Sequence, residues 1–86
     1  MKHKKVSKRI LTYTAVFEPA KEGGFVVHIP ALPGCFTEGD SFEEAVDMAK
    51  DAISGYLAVL KDTKQAIPEE KTEFIVTQVS VPYGFI

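Results

Sequence analysis

The chain has 86 residues, of which 45% are hydrophobic and 26% are charged, as expected for one soluble domain with a single small core. No apolar run is long enough to span a bilayer, and the basic N-terminus lacks the apolar segment of a secretory signal. With Cys35 as its one cysteine the chain cannot form an internal disulfide, so we expect a reducing, cytoplasmic location.

The net charge of −2 combines two parts of opposite sign. Residues 1–9 contain no acid and five basic residues, namely Lys2, Lys4, Lys5, Lys8 and Arg9. The remainder holds five lysines and all 12 acids, a formal charge of −7. We therefore predict a flexible basic arm over residues 1–9 and a single acidic domain over residues 10–86. An acidic domain repels nucleic acid and favours basic protein partners.

Three short strands are predicted in the first half of the chain. Residues 10–17 alternate in polarity, and the better core face carries Leu11, Tyr13, Ala15 and Phe17. Residues 19–24 interrupt this strand, and their two glycines suit a hairpin loop. Residues 25–29 form a second strand that Pro30 ends, because proline has no N–H to donate.

A type II turn is expected over residues 32–35, with Pro33 and Gly34 at its centre. The third strand then covers residues 35–38. Because the connections between these three strands are short, we predict an antiparallel meander.

A helix follows, and its start is marked by a capping box. The Ser41 hydroxyl is expected to cap the first turn, while Glu44 returns a bond to the Ser41 N–H. An apolar stripe from Phe42 to Leu60 predicts an amphipathic helix that frays after Leu60.

Residues 73–81 are rich in β-branched side chains and predict a fourth strand, in which a slight break of the alternation allows a bulge. The expected fold is α+β with the order β-β-β-α-β: a three-stranded antiparallel meander plus a C-terminal strand, with one amphipathic helix packed on one face. The apolar residues 82–86 should pack on their own sheet or on a second copy. Open sheet edges favour self-association or partner binding.

The order and spacing of several segments carry a family resemblance. They are Tyr13, residues 23–27, residues 29–35, residues 37–41, residues 43–45, Ala49 and residues 52–53. Over about residues 12–60 the chain resembles the HicB-type antitoxin domain. The resemblance implies a truncated ribonuclease-H-like fold, homo-dimers or tetramers, and inhibition of a small basic, mRNA-cleaving toxin of the HicA type. The DNA-binding module that many such antitoxins carry after this domain is not expected in the residues that follow the helix.

Catalysis is not expected from these residues. Ribonuclease H chemistry needs carboxylates that converge on two metal ions, and the first strand offers no acid before Glu18. His28 and Cys35 lack the further ligands of a metal site, so packing is the simpler interpretation for both. We expect no cofactor.

The predicted function is therefore that of a non-catalytic binding module. The candidate partner-binding residues are Phe25, His28, Leu32, Cys35, Glu43, Asp47 and Asp51. Two alternatives remain open: an orphan homo-oligomeric domain with a structural or regulatory role, or a weak nucleic-acid binder whose basic arm contacts phosphates. The arm has no interleaved aromatic residue for base stacking, which favours a solvated terminus.

Overall fold

A computed structural model gives the structure of the protein and describes residues 9–70 and 75–84. The elements are β1 (Val16–Pro19), β2 (Phe25–His28), β3 (Phe36–Gly39) and α1 (Phe42–Asp62). The strands form one antiparallel sheet in the order β1-β2-β3. The predicted α+β class, the meander and the single helix are confirmed, and the ends of β2 and β3 differ from the predicted ends by one residue.

Two tight turns join the strands. The Ala20 N–H donates to the Gly24 carbonyl and the Gly23 N–H to the Ala20 carbonyl, both at 3.0 Å, which closes the β1–β2 hairpin. In the second connection the Cys35 N–H donates to the Leu32 carbonyl at 3.0 Å. Gly34 has φ +81°, the left-handed value that the third position of a type II turn requires. The turn predicted there is confirmed.

The strand register divides the sheet into two faces. Phe17, Val27 and Thr37 pair across the three strands, and so do their neighbours Val16, His28 and Phe36. Because successive side chains point to opposite faces, these two sets lie on opposite sides of the sheet. Val27 is fully buried, so its face is the one that meets the helix.

The core lies between this face and α1, which crosses β2 and β3. Its buried residues are Val27, Ile29, Leu32, Cys35, Ala45 and Ala49. Half-buried side chains surround them, including Tyr13, Ala15 and Phe17 from the predicted core face of the first strand. Two alanines supply the helix side of the buried cluster, and their small side chains let the helix lie close to the sheet.

The start of α1 follows the predicted capping box with one correction. The Glu44 N–H donates to Ser41 Oγ at 3.1 Å, as expected. The Glu44 carboxylate, however, accepts from the N–H of Asp40 rather than from that of Ser41. Ser41 itself is extended (φ −134°, ψ 169°), as an N-cap residue usually is.

The end of α1 lies two residues beyond the predicted one, at Asp62. Two hydrogen bonds explain the extension: the Gln65 N–H donates to the Leu60 carbonyl at 2.8 Å and the Lys64 N–H to the Lys61 carbonyl at 3.1 Å. With Lys64 in the left-handed conformation (φ 57°), this is a Schellman motif.

The first strand is shorter than predicted, because residues 10–15 are not part of the sheet. In the register of β1 and β2, Val16 pairs with His28, so the residue opposite Thr14 would be Pro30. Proline has no N–H to donate, and the ladder stops there.

Thr14 bonds elsewhere: its N–H donates to Glu70 Oε1 at 2.7 Å and its hydroxyl to Glu70 Oε2. The Tyr13 hydroxyl donates to the Pro68 carbonyl, and Arg9 forms an ion pair with Glu69 at 3.8 Å. We call this set of contacts between residues 9–14 and 68–70 the clasp.

The predicted C-terminal strand is not confirmed. Residues 75–84 are exposed and form no strand, while residues 73 and 74 of the predicted strand lie outside the described residues. Pro82, Tyr83 and Gly84 are exposed as well, and Phe85 and Ile86 are again outside the described part. In the ranges that the structure covers, no helix has the length and apolar character needed to cross a membrane.

Candidate functional site

The sheet face that points away from α1 is the strongest candidate for a functional surface. The register aligns two rows of side chains on it, Val16–His28–Phe36 and Glu18–Val26–Glu38. We call these six residues the outer sheet face. Phe36 is 65% exposed and Val26 is 39% exposed, although both are large apolar residues of regular strands. The helix covers only the opposite face, so among residues 9–70 and 75–84 this face is the exposed one.

An aromatic pair marks one row of the outer sheet face. The rings of His28 and Phe36 lie side by side on β2 and β3, with centroids 6.2 Å apart and planes tilted by 39°. Phe36 directly follows the buried Cys35, and the period of two therefore turns it outward. The same turn that brings Cys35 into the core thus presents Phe36 to solvent.

Acidic side chains occupy both ends of the other row. Glu18 and Glu38 are exposed and lie on either side of Val26. In the part of the chain that the structure describes, the one ion pair joins Arg9 to Glu69, so neither carboxylate has a basic partner there. The outer sheet face therefore combines an apolar and aromatic surface with uncompensated negative charge.

The predicted helix acids lie on a different surface. Glu43, Asp47 and Asp51 are exposed and share one stripe, since they are four residues apart. The helix turns Ala45 and Ala49 toward the sheet, and the 3.6-residue period places the acids about opposite them. His28 and the helix acids, which the sequence suggested as one contact set, are thus on opposite layers of the molecule.

The remaining predicted contact residues lie mainly inside the protein. Leu32 is fully buried and Cys35 is 4% exposed, and burial raises the pKa of the Cys35 thiol. Because these side chains do not reach the surface, we assign them to the core and exclude them from the candidate surface. Phe25 is half-buried on the helix side, where its ring lies 6.4 Å from that of Phe17 and 6.0 Å from that of Phe42.

The candidate phosphate contacts of the basic arm are only partly described. Lys2, Lys4, Lys5 and Lys8 lie outside the described residues. Arg9 takes part in the clasp through its ion pair with Glu69. Among residues 9–70 and 75–84, no three His, Cys, Asp or Glu side chains are grouped so as to hold a metal ion.

Five residues of the outer sheet face were not singled out from the sequence: Val16, Glu18, Val26, Phe36 and Glu38. The sequence signal that could have found them is the alternation of side chains along each strand, which decides the residues that share one side of the sheet. Pro30 and the turn at residues 32–35 indicate where β2 ends and β3 begins, and a buried Cys35 then implies an outward Phe36. The alternation of the first strand already assigned Phe17 to the core, but the almost wholly apolar β2 did not show which of its side chains the helix covers.

Comparison with known proteins is consistent with this architecture. The model of the HicB-like antitoxins of bacterial toxin–antitoxin systems matches residues 13–82. The chain is similar to a UPF0150 protein of Thermoplasma acidophilum, with 40% identity over 65 residues that cover 76% of this chain and 94% of the relative. It is also similar to a UPF0150 protein of Synechocystis, with 36% identity over 74 residues, or 86% of this chain and 91% of that protein.

A further relative carries an antitoxin name. Antitoxin HicB 1 of Photorhabdus laumondii is 36% identical over 58 residues, which cover 67% of this chain and 37% of the longer relative. The region matched by the family model contains all three strands, the helix and the whole outer sheet face. The chain therefore belongs to the HicB-like antitoxin family of bacterial toxin–antitoxin systems.

Proposed function

We propose that this protein is a non-catalytic antitoxin that binds and inhibits a small basic, mRNA-cleaving toxin of the HicA type, and that it docks this toxin on the outer sheet face. Family membership supports an antitoxin role. The observation that carries the docking proposal is the exposed Phe36 beside His28, on a sheet face that the helix leaves open.

The composition of the outer sheet face suits a protein partner. Exposed aromatic side chains that become buried on association supply much of the binding energy at protein interfaces. Phe36 is held by a regular strand and packs beside His28, so little conformational entropy is lost when a partner covers it. We assign Phe36 as the central contact, with Val16 and Val26 completing the apolar surface.

The charge of the molecule favours a basic partner. Glu18 and Glu38 border Val26, and residues 10–86 carry a formal charge of −7. The carboxylates of the outer sheet face would pair with cationic side chains of the toxin. The stripe of Glu43, Asp47 and Asp51 lies on the opposite layer, so its contribution would be long-range attraction that raises the association rate.

Inhibition follows from occlusion. A ribonuclease binds its substrate largely through basic side chains that contact phosphates. An acidic surface bound over those side chains competes with RNA for the same charges and denies the substrate access. No catalytic group of the antitoxin is needed for this effect. Because the proposed target cleaves mRNA, the place of action is the cytoplasm.

Co-expression with the product of an adjacent small open reading frame tests the proposal. We expect the two proteins to co-purify and expression of this chain to restore growth of toxin-arrested cells. A neighbouring gene that encodes no toxin-like protein, together with a failure to rescue arrested cells, would contradict the antitoxin role.

Paired variants test the docking surface. Phe36→Ala is expected to weaken toxin binding at least about tenfold, or about 1.4 kcal/mol. The double variant Glu18→Lys/Glu38→Lys should weaken it more than Asp47→Lys/Asp51→Lys, which changes the net charge equally on the helix. Helical circular dichroism checks that each variant is folded. Equal losses in the two double variants would refute the outer sheet face as the contact surface.

A further inference from the structure

The sheet has two edge strands, β1 and β3, because β2 lies between them. In an antiparallel ladder, alternate residues of an edge strand direct their backbone N–H and C=O groups toward the neighbouring strand, and the others direct theirs away from it. A strand of another protein can pair with the groups that point away and so continue the sheet.

At the β3 edge, the outward backbone groups belong to Phe36 and Glu38. The Ile29 N–H donates to the Cys35 carbonyl at 3.1 Å, and this bond fixes the alternation along β3. Residues 35, 37 and 39 therefore face β2, while the N–H and C=O groups of Phe36 and Glu38 point to the open edge. In the part of the chain that the structure describes, none of these four groups has a hydrogen-bond partner.

The row of outward groups on β3 ends at Glu38. The Asp40 N–H would continue the row, but it donates to the Glu44 carboxylate instead. The edge that can accept a strand is therefore short, and it consists of the same two residues whose side chains lie on the outer sheet face.

The β1 edge is less suited to pairing. Its alternation is fixed by the Ala20 N–H, which donates to the Gly24 carbonyl at 3.0 Å. Residues 16 and 18 therefore bond toward β2, which leaves the backbone groups of Phe17 and Pro19 facing outward. Pro19 has no N–H to donate, and a proline on an edge strand opposes pairing. Of the two edges, β3 is thus the one that can accept a further strand.

The side chains at the β3 edge specify the kind of strand that fits. Phe36 and Glu38 are both exposed, and they offer an aromatic ring and a carboxylate on one face of the sheet. Side chains that lie directly opposite each other on adjacent strands interact across the ladder. A complementary strand would therefore carry an apolar residue beside Phe36 and a lysine or arginine beside Glu38. One residue would separate these two, since alternate side chains share a face.

The charge of the molecule favours a basic protein over a second copy as the source of this strand. Residues 10–86 carry a formal charge of −7, so a second copy would bring negative charge to an edge that already presents Glu38. A basic partner is attracted by the same charge.

We propose that an extended strand of the basic toxin pairs with β3 through the backbone of Phe36 and Glu38 and continues the sheet. The inference rests on the proposed function and deepens it, because it specifies the form of the toxin segment and the backbone groups that bind it. Main-chain hydrogen bonds hold the strand, and contacts with Phe36 and Glu38 select its side chains.

Two variants at position 38 distinguish the backbone bond from the side-chain contact. Glu38→Pro removes both the outward N–H and the carboxylate, whereas Glu38→Ala removes the carboxylate alone. Because the Glu38 N–H does not bond to β2, proline is compatible with this edge position, and circular dichroism checks that both variants are folded.

The probe is the toxin encoded by the adjacent small open reading frame, and its dissociation constant is measured by calorimetry. We expect Glu38→Pro to raise this constant at least about tenfold more than Glu38→Ala does, because the bound strand would be left with an unpaired carbonyl. Equal effects of the two variants would overturn the proposal.

Amide hydrogen exchange of the wild-type protein tests the pairing without a substitution. In the free protein, the amides of Phe36 and Glu38 should exchange faster than that of Thr37, which faces β2. Toxin binding should slow both at least about tenfold. Nuclear Overhauser contacts between the backbone of β3 and that of one toxin strand are expected as well.

The outcomes separate this inference from the function on which it rests. A tight complex in which the two amides stay unprotected, or in which the inter-strand contacts are absent, would overturn the strand pairing and leave the antitoxin role intact. Protection that rises with the concentration of this chain alone would assign the edge to a second copy and would also overturn the pairing. If the wild-type chain neither binds nor neutralises the toxin, the proposed function fails, and the pairing fails with it.

Discussion

Gly39 lies where β3 passes beneath the first turn of α1, and a β-carbon there would be 2.4 Å from the backbone nitrogen of Ala45. Backbone atoms cannot rotate out of the way as a side chain can, so the helix would have to move away from the sheet. We predict that Gly39→Ala lowers the free energy of unfolding by about 3 kcal/mol, as overpacking of a tight contact does. Urea denaturation followed by circular dichroism measures this loss.

Gly55 provides the matched control for Gly39→Ala. It is an exposed residue of α1, and a β-carbon there would meet no atom within 4 Å. Gly55→Ala should raise the free energy of unfolding by about 0.5–1 kcal/mol, because alanine loses less backbone entropy in a helix. Similar destabilisation by both substitutions would show that the contact with Ala45 is not the cause.

Cys35 is expected to be chemically inert in the folded protein. It is 4% exposed, and burial raises the pKa of its thiol, so little of the reactive thiolate is present at neutral pH. Reaction with a thiol reagent then requires opening of the structure, and an opening that costs about 3 kcal/mol slows it about a hundredfold.

The Lys61→Cys variant contains an internal standard for this measurement, because position 61 is exposed on α1. One equivalent of reagent should react rapidly and the second slowly, and urea should merge the two phases. Two fast phases in the absence of urea would contradict the buried position of Cys35.

At the scale of the elements, the end of α1 offers a stabilising substitution. Lys64 adopts φ 57° at the position of the Schellman motif that glycine usually occupies. The left-handed conformation costs a residue with a β-carbon about 1 kcal/mol. Lys64→Gly should therefore raise the free energy of unfolding by about that amount, as measured by thermal or urea denaturation.

The Lys64→Ala variant shows whether a change in stability at this position comes from the backbone conformation or from the lost positive charge. Alanine removes the same positive charge near the helix C-terminus but retains the β-carbon, so no stabilisation is expected from it. If alanine stabilised the protein as much as glycine does, the gain would come from the lost charge instead.

The strands show how far local sequence predicts this fold. Pro30 and the turn around Gly34 allowed the ends of β2 and β3 to be predicted within one residue. The length of β1 was not predictable from its own alternation, since its limit is set by Pro30 on the neighbouring strand. The predicted donor to the Glu44 carboxylate was wrong by one residue, because the capping-box pattern does not specify the direction of the N–H groups that precede the helix.

The candidate surface was less predictable than the strands. Alternation within β2 separates Val26 and His28 from Val27, but it does not say which set the helix covers. That choice is made by tertiary packing, in which Ala45 and Ala49 approach the face of Val27. Once that face is known, the strand pairing alone identifies Phe36 and the two glutamates on the outer sheet face.

At the scale of the whole molecule, the clasp joins two parts of the chain that are more than 50 residues apart. Tyr13 bonds to Pro68, and Thr14 bonds to Glu70. These bonds hold the segment that precedes the sheet against the segment that follows the helix.

The clasp should make the stability of the protein sensitive to alkaline pH. Burial raises the pKa of the Tyr13 phenol above its ordinary value of 10.0, and the carboxylates of Glu69 and Glu70 raise it further against the opposing effect of Arg9. The unfolded chain therefore loses this proton at lower pH than the folded protein does. The contribution of Tyr13 to stability is complete below about pH 10 and is lost as the pH rises through the folded pKa.

Tyr13→Phe tests this linkage. At neutral pH the variant should be less stable than wild type by about 1 kcal/mol, the usual net value of one hydrogen bond. The difference should shrink as the pH rises above about 10, because wild type then loses the contribution that the variant never had.

Thr14→Val removes a neighbouring bond of the clasp without removing a titrating group, so its deficit in stability should not shrink in the same way. The Cys35 thiol also has a raised pKa. Because Cys35 is present in all three proteins, its effect on the pH dependence of stability cancels from the differences between them. A constant difference between wild type and Tyr13→Phe across this range would mean that the phenol does not titrate within the clasp.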